Sequence, residues 1–175
     1  MLLKIKWLLL EKEGCYLNKK ISSFTVNHEV LLPGLYVSRQ DRFNNEWFTT
    51  LDLRMTIPNK DEVMETSGIH TLEHLGATYL RNNIKFGEKI LYFGPMGCRT
   101  GFYLIVFGKY ESIDLLEIVK EMFYFITKFS GKIPGVSSIE CGNYLDHDLG
   151  KAKQYALNYL NILNNIKPQN LKYIK

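Results

Sequence analysis

The chain is poor in cysteine, with three in 175 residues: Cys15, Cys98 and Cys141. An odd, low count argues against a disulfide framework and fits reduced thiols in a cytoplasmic protein, where a cysteine more often serves as ligand or catalyst. Long apolar runs are also missing. The densest, Trp7-Leu8-Leu9-Leu10, follows Lys4 and Lys6 and is too short and too broken to span a membrane. No small-residue cleavage site follows it, so a signal peptide is not expected either. Neither sign of charge dominates: 22 Lys and Arg against 18 Asp and Glu leave a net +4. There is no concentrated basic stripe of the kind a nucleic-acid binder needs. Membranes and nucleic acids are therefore not expected partners, whereas a small anionic or zwitterionic substrate would not be repelled.

What is present is ordinary for a soluble globular domain: 46% hydrophobic and 23% charged residues, in a length that can bury a sizeable core. Residues 1–20 read as an N-terminal extension, a docking arm or a tail without an assigned role. Residues 21–175 read as one domain. Pro33-Gly34 marks a turn, Leu35 to Val37 a short strand and Asn44-Asn45 a break. From Trp47 to Ile57 the chain alternates, with Leu51, Leu53, Met55 and Ile57 on one face and Asp52, Arg54 and Thr56 on the other, which predicts a half-buried strand. Thr66 or Ser67 can cap a helix that runs to about Asn82-Asn83. Lys89 to Phe93 and Phe102 to Phe107 are candidate strands, separated by the loop from Gly94 to Cys98. Ser112 can cap a helix whose Leu115, Ile118, Val119, Met122, Phe123 and Ile126 form an apolar stripe ended by Gly131. A last helix is expected from about Leu149 to Leu163, with Asp146 and Asp148 as capping residues. Strands separated by helices, without repeats or a linker, predict a single α/β domain.

The most informative stretch is His70-Thr71-Leu72-Glu73-His74. Histidines four apart on a helix point the same way, because a turn takes 3.6 residues. Two imidazoles can hold one transition metal, with the carboxylate beside them free to move protons. Two ligands do not make a tight site, and Cys141, following a loop, is a suitable third; His₂Cys leaves one coordination position open. Cys98 sits in a glycine-dense loop, Gly94-Pro95-Met96-Gly97-Cys98-Arg99-Thr100-Gly101. Glycine permits close backbone approach to a ligand, and a neighbouring cation favours the reactive thiolate; the competing reading is a buried, inert cysteine. Arg54 could grip a carboxylate or bias a thiol, although on position alone a solvated strand charge is the simpler reading. His28 and Ser23 carry little weight alone. Asp146-His147-Asp148 offers a second, separate metal site as a minor alternative.

In combination these pieces resemble the S-ribosylhomocysteine lyase family, the autoinducer-2 synthesis enzymes. The resemblance rests on Ser23-Phe24 followed by His28, Asp52-Leu53-Arg54, Pro58-Asn59-Lys60, His70 to Leu75, Gly94 to Gly101 and Cys141-Gly142, in that order. It covers about residues 21–165. It implies an α+β two-layer sandwich, a small antiparallel sheet covered by helices, in a homodimer with active sites at the subunit interface. It implies one divalent metal ion per subunit, Fe²⁺ with Zn²⁺ or Co²⁺ able to substitute, held by His70, His74 and Cys141. Glu73 and Cys98 match the family's acid/base pair, and Ser23, His28 and Arg54 its substrate-contacting positions. The implied substrate is S-ribosyl-L-homocysteine, and the products are L-homocysteine and 4,5-dihydroxy-2,3-pentanedione. Asn27, where an aspartate is expected, and Tyr92, where many members are acidic, depart from the pattern.

Two readings compete. A metallopeptidase with the same helix motif would take Glu140 or Asp146 as its third ligand and would have no need of Cys98 or Cys141. A non-enzymatic metal-binding or dimerisation protein would have a closed four-ligand site.

Overall fold

Asn44-Asn45 joins the first two strands, and Asn44 takes the left-handed conformation that a tight hairpin asks for (φ 53°). The first strand is longer than the sequence predicted and the second ends sooner: β1 runs Gly34–Phe43 and β2 Glu46–Arg54, short of the expected Ile57. After them come α1 (Thr66–Arg81), β3 (Ile90–Pro95), β4 (Gly101–Phe107), α2 (Leu116–Lys128) and α3 (Leu149–Asn164). The computed structural model describes residues 20, 21 and 24–173. The expected extension over 1–20, apart from Lys20, and the expected substrate contact Ser23 lie outside the described residues. All described strand pairs are antiparallel, in the order β1-β2-β4-β3. The helices share one buried cluster with the sheet, giving the expected two-layer α+β sandwich. No helix among the described residues is long and apolar enough to cross a membrane.

The apolar layer follows the sequence periodicities. Leu51 and Leu53 of β2 and Phe102, Leu104 and Val106 of β4 alternate into the core, each fully buried. Leu72 and Leu75 of α1, Val119, Met122, Phe123 and Ile126 of α2, and Ala152, Ala156 and Leu163 of α3 meet them at helical spacing. Each large apolar side chain so buried contributes roughly 1.5–3 kcal/mol. That sum offsets an unusual feature of the opposite sheet face, where Asp52 and Arg54 are only 1% and 3% exposed.

The expectation that Arg54 is a solvated strand charge is therefore overturned. The alternation of β2 is present, but its polar face is covered too. Tyr36, Asp52 and Tyr103 lie opposite one another across β1, β2 and β4. Over them fold the stretch before β1 and the end of the chain: Tyr36 donates to the Leu32 carbonyl at 2.8 Å, Asn170 to Pro33 at 2.8 Å, and Tyr173 stacks on Tyr36 at 4.8 Å. A bulge between Val37 and Arg39 leaves Ser38 without a partner in the register and directs it into the same covered region.

Local chemistry revises the expected caps. Neither Thr66 nor Ser67 caps α1; the N-cap is Glu65, with no side-chain bond. Ser112 opens a short 3₁₀ turn before α2 and receives the Val37 amide while donating to the Leu171 carbonyl, tying β1 to the chain end. Asp148 does cap α3, accepting the Lys151 amide at 2.9 Å. Gly94-Pro95 belongs to β3 rather than to a loop interrupting it. The turn is Met96–Arg99, closed by the Arg99 amide on the Met96 carbonyl at 2.9 Å, with Arg99 left-handed at φ 59°. Asn27 accepts the Glu29 amide at 3.0 Å, a role an aspartate would fill equally.

Candidate metal centre and active site

The i,i+4 spacing places His70 and His74 together on α1, their rings 4.6 Å apart and nearly perpendicular. Each ring is held through Nδ1: His70 by the Asp146 carbonyl at 2.9 Å, His74 by the Pro134 carbonyl at 2.8 Å. A carbonyl can only accept, so both Nδ1 atoms carry the proton and both Nε2 atoms present a lone pair. Backbone support of this kind is how metal-ligating histidines are commonly oriented. The 133–135 loop reaches His74 because Gly135 is left-handed (φ 73°) and lacks a Cβ, which would press on the imidazole at 3.2 Å.

Cys141 completes the expected trio. Its Sγ lies 3.3 Å from His70 Nε2 and receives the Asn143 amide at 3.4 Å. Spacing alone could not establish that reach. A fourth side chain joins them: ligand atoms of His70, His74, Cys141 and His147 lie within 4.8 Å of one another. His147 stacks on His70 at 4.0 Å. The minor alternative of a separate Asp-His-Asp site is thereby set aside. Asp148 caps a helix, Asp146 contributes its backbone to His70, and His147 belongs to the first cluster. Its Nδ1 lies 3.2 Å from Thr71 Oγ1. The Thr71 hydroxyl proton goes to the Ser67 carbonyl, so His147 Nδ1 must donate, and its Nε2 is buried without a partner. Burial, with His70 and His74 beside it, holds the His147 pKa below the ordinary histidine value, against the pull of Asp146. Three imidazoles and a thiol with converging free donor atoms fit a late first-row divalent ion.

Glu73 lines a cavity of roughly 390 Å³ together with His70, Met96, Gly97, Arg99 and Asp146. Cys98, Arg54 and His28 line another, of roughly 250 Å³, with Asp52, Tyr103 and Tyr173. Met96 and Gly97 border both. The sequence-predicted residues thus fall into two groups, one on each side of the β3–β4 turn.

In the second group Arg54 is held by a buried salt bridge to Asp52 at 2.6 Å. Its Nη1 donates to Thr100 Oγ1 and approaches Cys98 Sγ at 3.8 Å. Thr100 Oγ1, taking a proton from Arg54, has its own to give to the Cys98 sulfur 3.1 Å away. Burial alone would raise the Cys98 pKa, but the Thr100 hydrogen bonds and the Arg54 charge outweigh it, and the net shift is downward. Cys98 is exposed at the cavity mouth, so the reading as a buried inert cysteine does not hold. His28 donates Nδ1 to the Val26 carbonyl at 2.9 Å, leaving Nε2 for other partners.

The family model of S-ribosylhomocysteinase (LuxS) matches residues 21–170. The chain belongs to the S-ribosylhomocysteinase family. Among its relatives, the S-ribosylhomocysteine lyase of Borrelia garinii subsp. bavariensis is 59% identical over 155 residues, 89% of this chain and 99% of the relative. That of Finegoldia magna is 54% identical over 154 residues, 88% and 97% of the two chains. That of Clostridium acetobutylicum is 52% identical over 155 residues, 89% and 98%. The peptidase reading fails on the same ground and on geometry, since the Glu140 carboxylate bonds Ser137 and Asp146 offers His70 only its carbonyl.

In this member of the family, the sequence reading gave no role to Asp52, Thr100 and Tyr173 and offered His147 only a minor one in a separate site. Asp52 and Thr100 could have been suspected from their spacing two residues from Arg54 and Cys98, on the same strand face or turn. Tyr173 gave no local signal, because it reaches the site only through the fold.

Proposed function

We propose that this chain is a metal-dependent lyase that cleaves S-ribosyl-L-homocysteine to L-homocysteine and 4,5-dihydroxy-2,3-pentanedione, the autoinducer-2 precursor used in quorum sensing. The observation that carries the reading is the pairing, in a member of this family, of the His70-His74-Cys141 donor set with a Cys98 thiol biased toward thiolate. His70, His74 and Cys141 would hold one divalent ion per subunit, Fe²⁺ in the first instance, with Zn²⁺ or Co²⁺ as substitutes. A bound divalent ion supplies Lewis-acid stabilisation of the oxyanion that develops on the sugar. The protein's own groups move the protons. Opening of the ribose gives an aldehyde, and successive proton shifts carry the carbonyl to C3. The C4 proton then becomes acidic; its removal expels the homocysteine thiolate from C5. Cys98 and Glu73 serve as the bases on the two sides of the sugar chain. Arg54, His28 and Ser23 hold the substrate. Reliance on the reduced thiols of Cys98 and Cys141 suits a cytoplasmic protein.

The test is direct: the purified, metal-loaded protein is incubated with S-ribosylhomocysteine and free thiol is followed with a colorimetric reagent. Stoichiometric thiol release is expected, and its absence would sink the reading.

The division of the site residues between two cavities supports a homodimer whose active sites form at the interface. The Cys98-Arg54-His28 group of one chain would then meet the Glu73-metal group of the other. Mixing Cys98→Ala with Glu73→Gln, after subunit exchange, should restore about a quarter of the sites, because half the dimers are mixed and each holds one intact site. No recovery on mixing two inactive variants that do exchange would place the whole site within one chain.

A further inference from the structure

We propose that Tyr173 is a positioning residue for Cys98: it holds Asp52, and Asp52 holds the Arg54 guanidinium toward the Cys98 sulfur. This rests on Cys98 being one of the two proton carriers. Tyr173 lies beyond residues 21–170 matched by the family model, and its hydroxyl comes back into the substrate cavity from the far end of the chain.

The chain of contacts is continuous. The Tyr173 ring is fixed by stacking on Tyr36, 4.8 Å between centroids at an interplanar angle of 11°. Its phenol donates to Asp52 Oδ2 at 2.8 Å. The same oxygen accepts from Arg54 Nη2 at 2.6 Å, and Arg54 Nη1 points to Thr100 and Cys98. Ser38, the bulge residue of β1, lines the same cavity beside the phenol. Asp52 Oδ1 and Arg54 Nε are buried with no partner. The carboxylate is therefore held by two donors on one oxygen, and the phenol is one of them. A hydrogen bond to a charged group is among the stronger ones, and a buried charge deprived of its partner finds a new arrangement or destabilises the site.

The electrostatic consequence has a sign. The groups facing Cys98 are Arg54, Thr100, Tyr103, His28, Asp52 and Tyr173, with Arg99 next to it on the turn. With the phenol in place, the Asp52 charge is shared between two donors, Tyr173 and Arg54, and Arg54 holds its place beside Cys98. Without it, Asp52 loses one donor, more of its negative charge acts on Cys98, and the potential there becomes more negative. Thiolate formation then moves to higher pH.

The experiment uses the full chain carrying Tyr173→Phe, which keeps the stacked ring. The pH dependence of iodoacetamide alkylation is read at Cys98 by peptide mass spectrometry, so Cys15 and Cys141 do not interfere. The midpoint should rise by about half a unit or more, the size of a weakened charge-assisted contact. At neutral pH kcat should fall several-fold. In an Asp52→Asn background the same change should have little further effect. A wild-type alkylation profile for Tyr173→Phe, or a downward shift, overturns the proposal even if the variant melts at a lower temperature. So does an undiminished shift in the Asp52→Asn background. Because alkylation reads the thiol and not turnover, either result leaves the lyase reading untouched; that reading stands or falls on thiol release.

Discussion

Cys98→Ala should lower turnover by about a hundredfold or more while leaving fold and metal content as they were. The chemistry demands it: the carbonyl shifts and the final elimination all remove protons from carbon, and a positioned base is what makes each removal fast. A hundredfold corresponds to about 2.7 kcal/mol of barrier, which is within the reach of one acid/base group. The fold should not notice, because Cys98 is exposed on the Met96–Arg99 turn and is not a member of the buried core cluster. The metal should not notice either, because the sulfur lines the Arg54 cavity and takes no part in the His70-His74-Cys141-His147 cluster. The rate is measured by thiol release and the metal by elemental analysis on the same preparation. A near-normal rate in this variant would remove Cys98 from the mechanism. The wild-type pH profile provides a second check. Because Thr100 and Arg54 lower the Cys98 pKa, the thiolate persists to a pH below that of a free thiol, and activity should fall only as the pH drops through that lowered value. Cys98→Ser should not rescue the rate, since a hydroxyl in the same place does not ionise in this range.

Much of this site was legible because it depends on short-range periodicity. The 3.6-residue turn put His70, Glu73 and His74 on one face of α1 without any knowledge of the fold, and the alternation of β2 put Asp52 and Arg54 on the face opposite Leu51 and Leu53. What the alternation could not say is what lies on that second face. Asp52 and Arg54 read as solvent-facing because nothing near them in sequence is apolar enough to cover them. Part of the cover comes from Tyr173, more than a hundred residues away, whose phenol bonds Asp52. His147 was left without a main role for a related reason. Between two aspartates read as caps, one of which does cap α3, it gave little signal of its own, and Thr71 in mid-helix draws it onto α1. A threonine on a helix face gives no sequence signal for such a tether. The expected caps missed by a residue or two: the helix starts from Glu65, so Thr66 and Ser67 already lie inside its first turn.

His70→Ala should lose the metal, with affinity falling by more than about a hundredfold, since removing even an outer-shell partner of a ligand typically costs 10–100-fold. His70 is the proposed ligand most enmeshed in the cluster, with Nδ1 on the Asp146 carbonyl and Nε2 3.3 Å from the Cys141 sulfur. His147 already stands in the cluster, but its Nδ1 is tied to Thr71, which also receives the Asp148 amide at 3.0 Å, so its ring is not free to shift into the place His70 leaves. Moving the ring into the vacated place would break the junction between α1 and α3. Loss of metal should also appear as lost stability, because an ion that binds only the folded chain stabilises it by about 2.7 kcal/mol at a hundredfold excess over its Kd. For a domain of this size that is about 5–10 °C in Tm. Adding metal to the stripped wild-type protein should therefore raise Tm by about that amount, and adding it to His70→Ala should leave Tm unchanged. The comparison separates a ligand from a merely structural histidine: a structural role would lower Tm in both the presence and the absence of metal and preserve the increment between them. Full metal occupancy in His70→Ala, or an intact metal-dependent rise in Tm, would remove His70 from the ligand set.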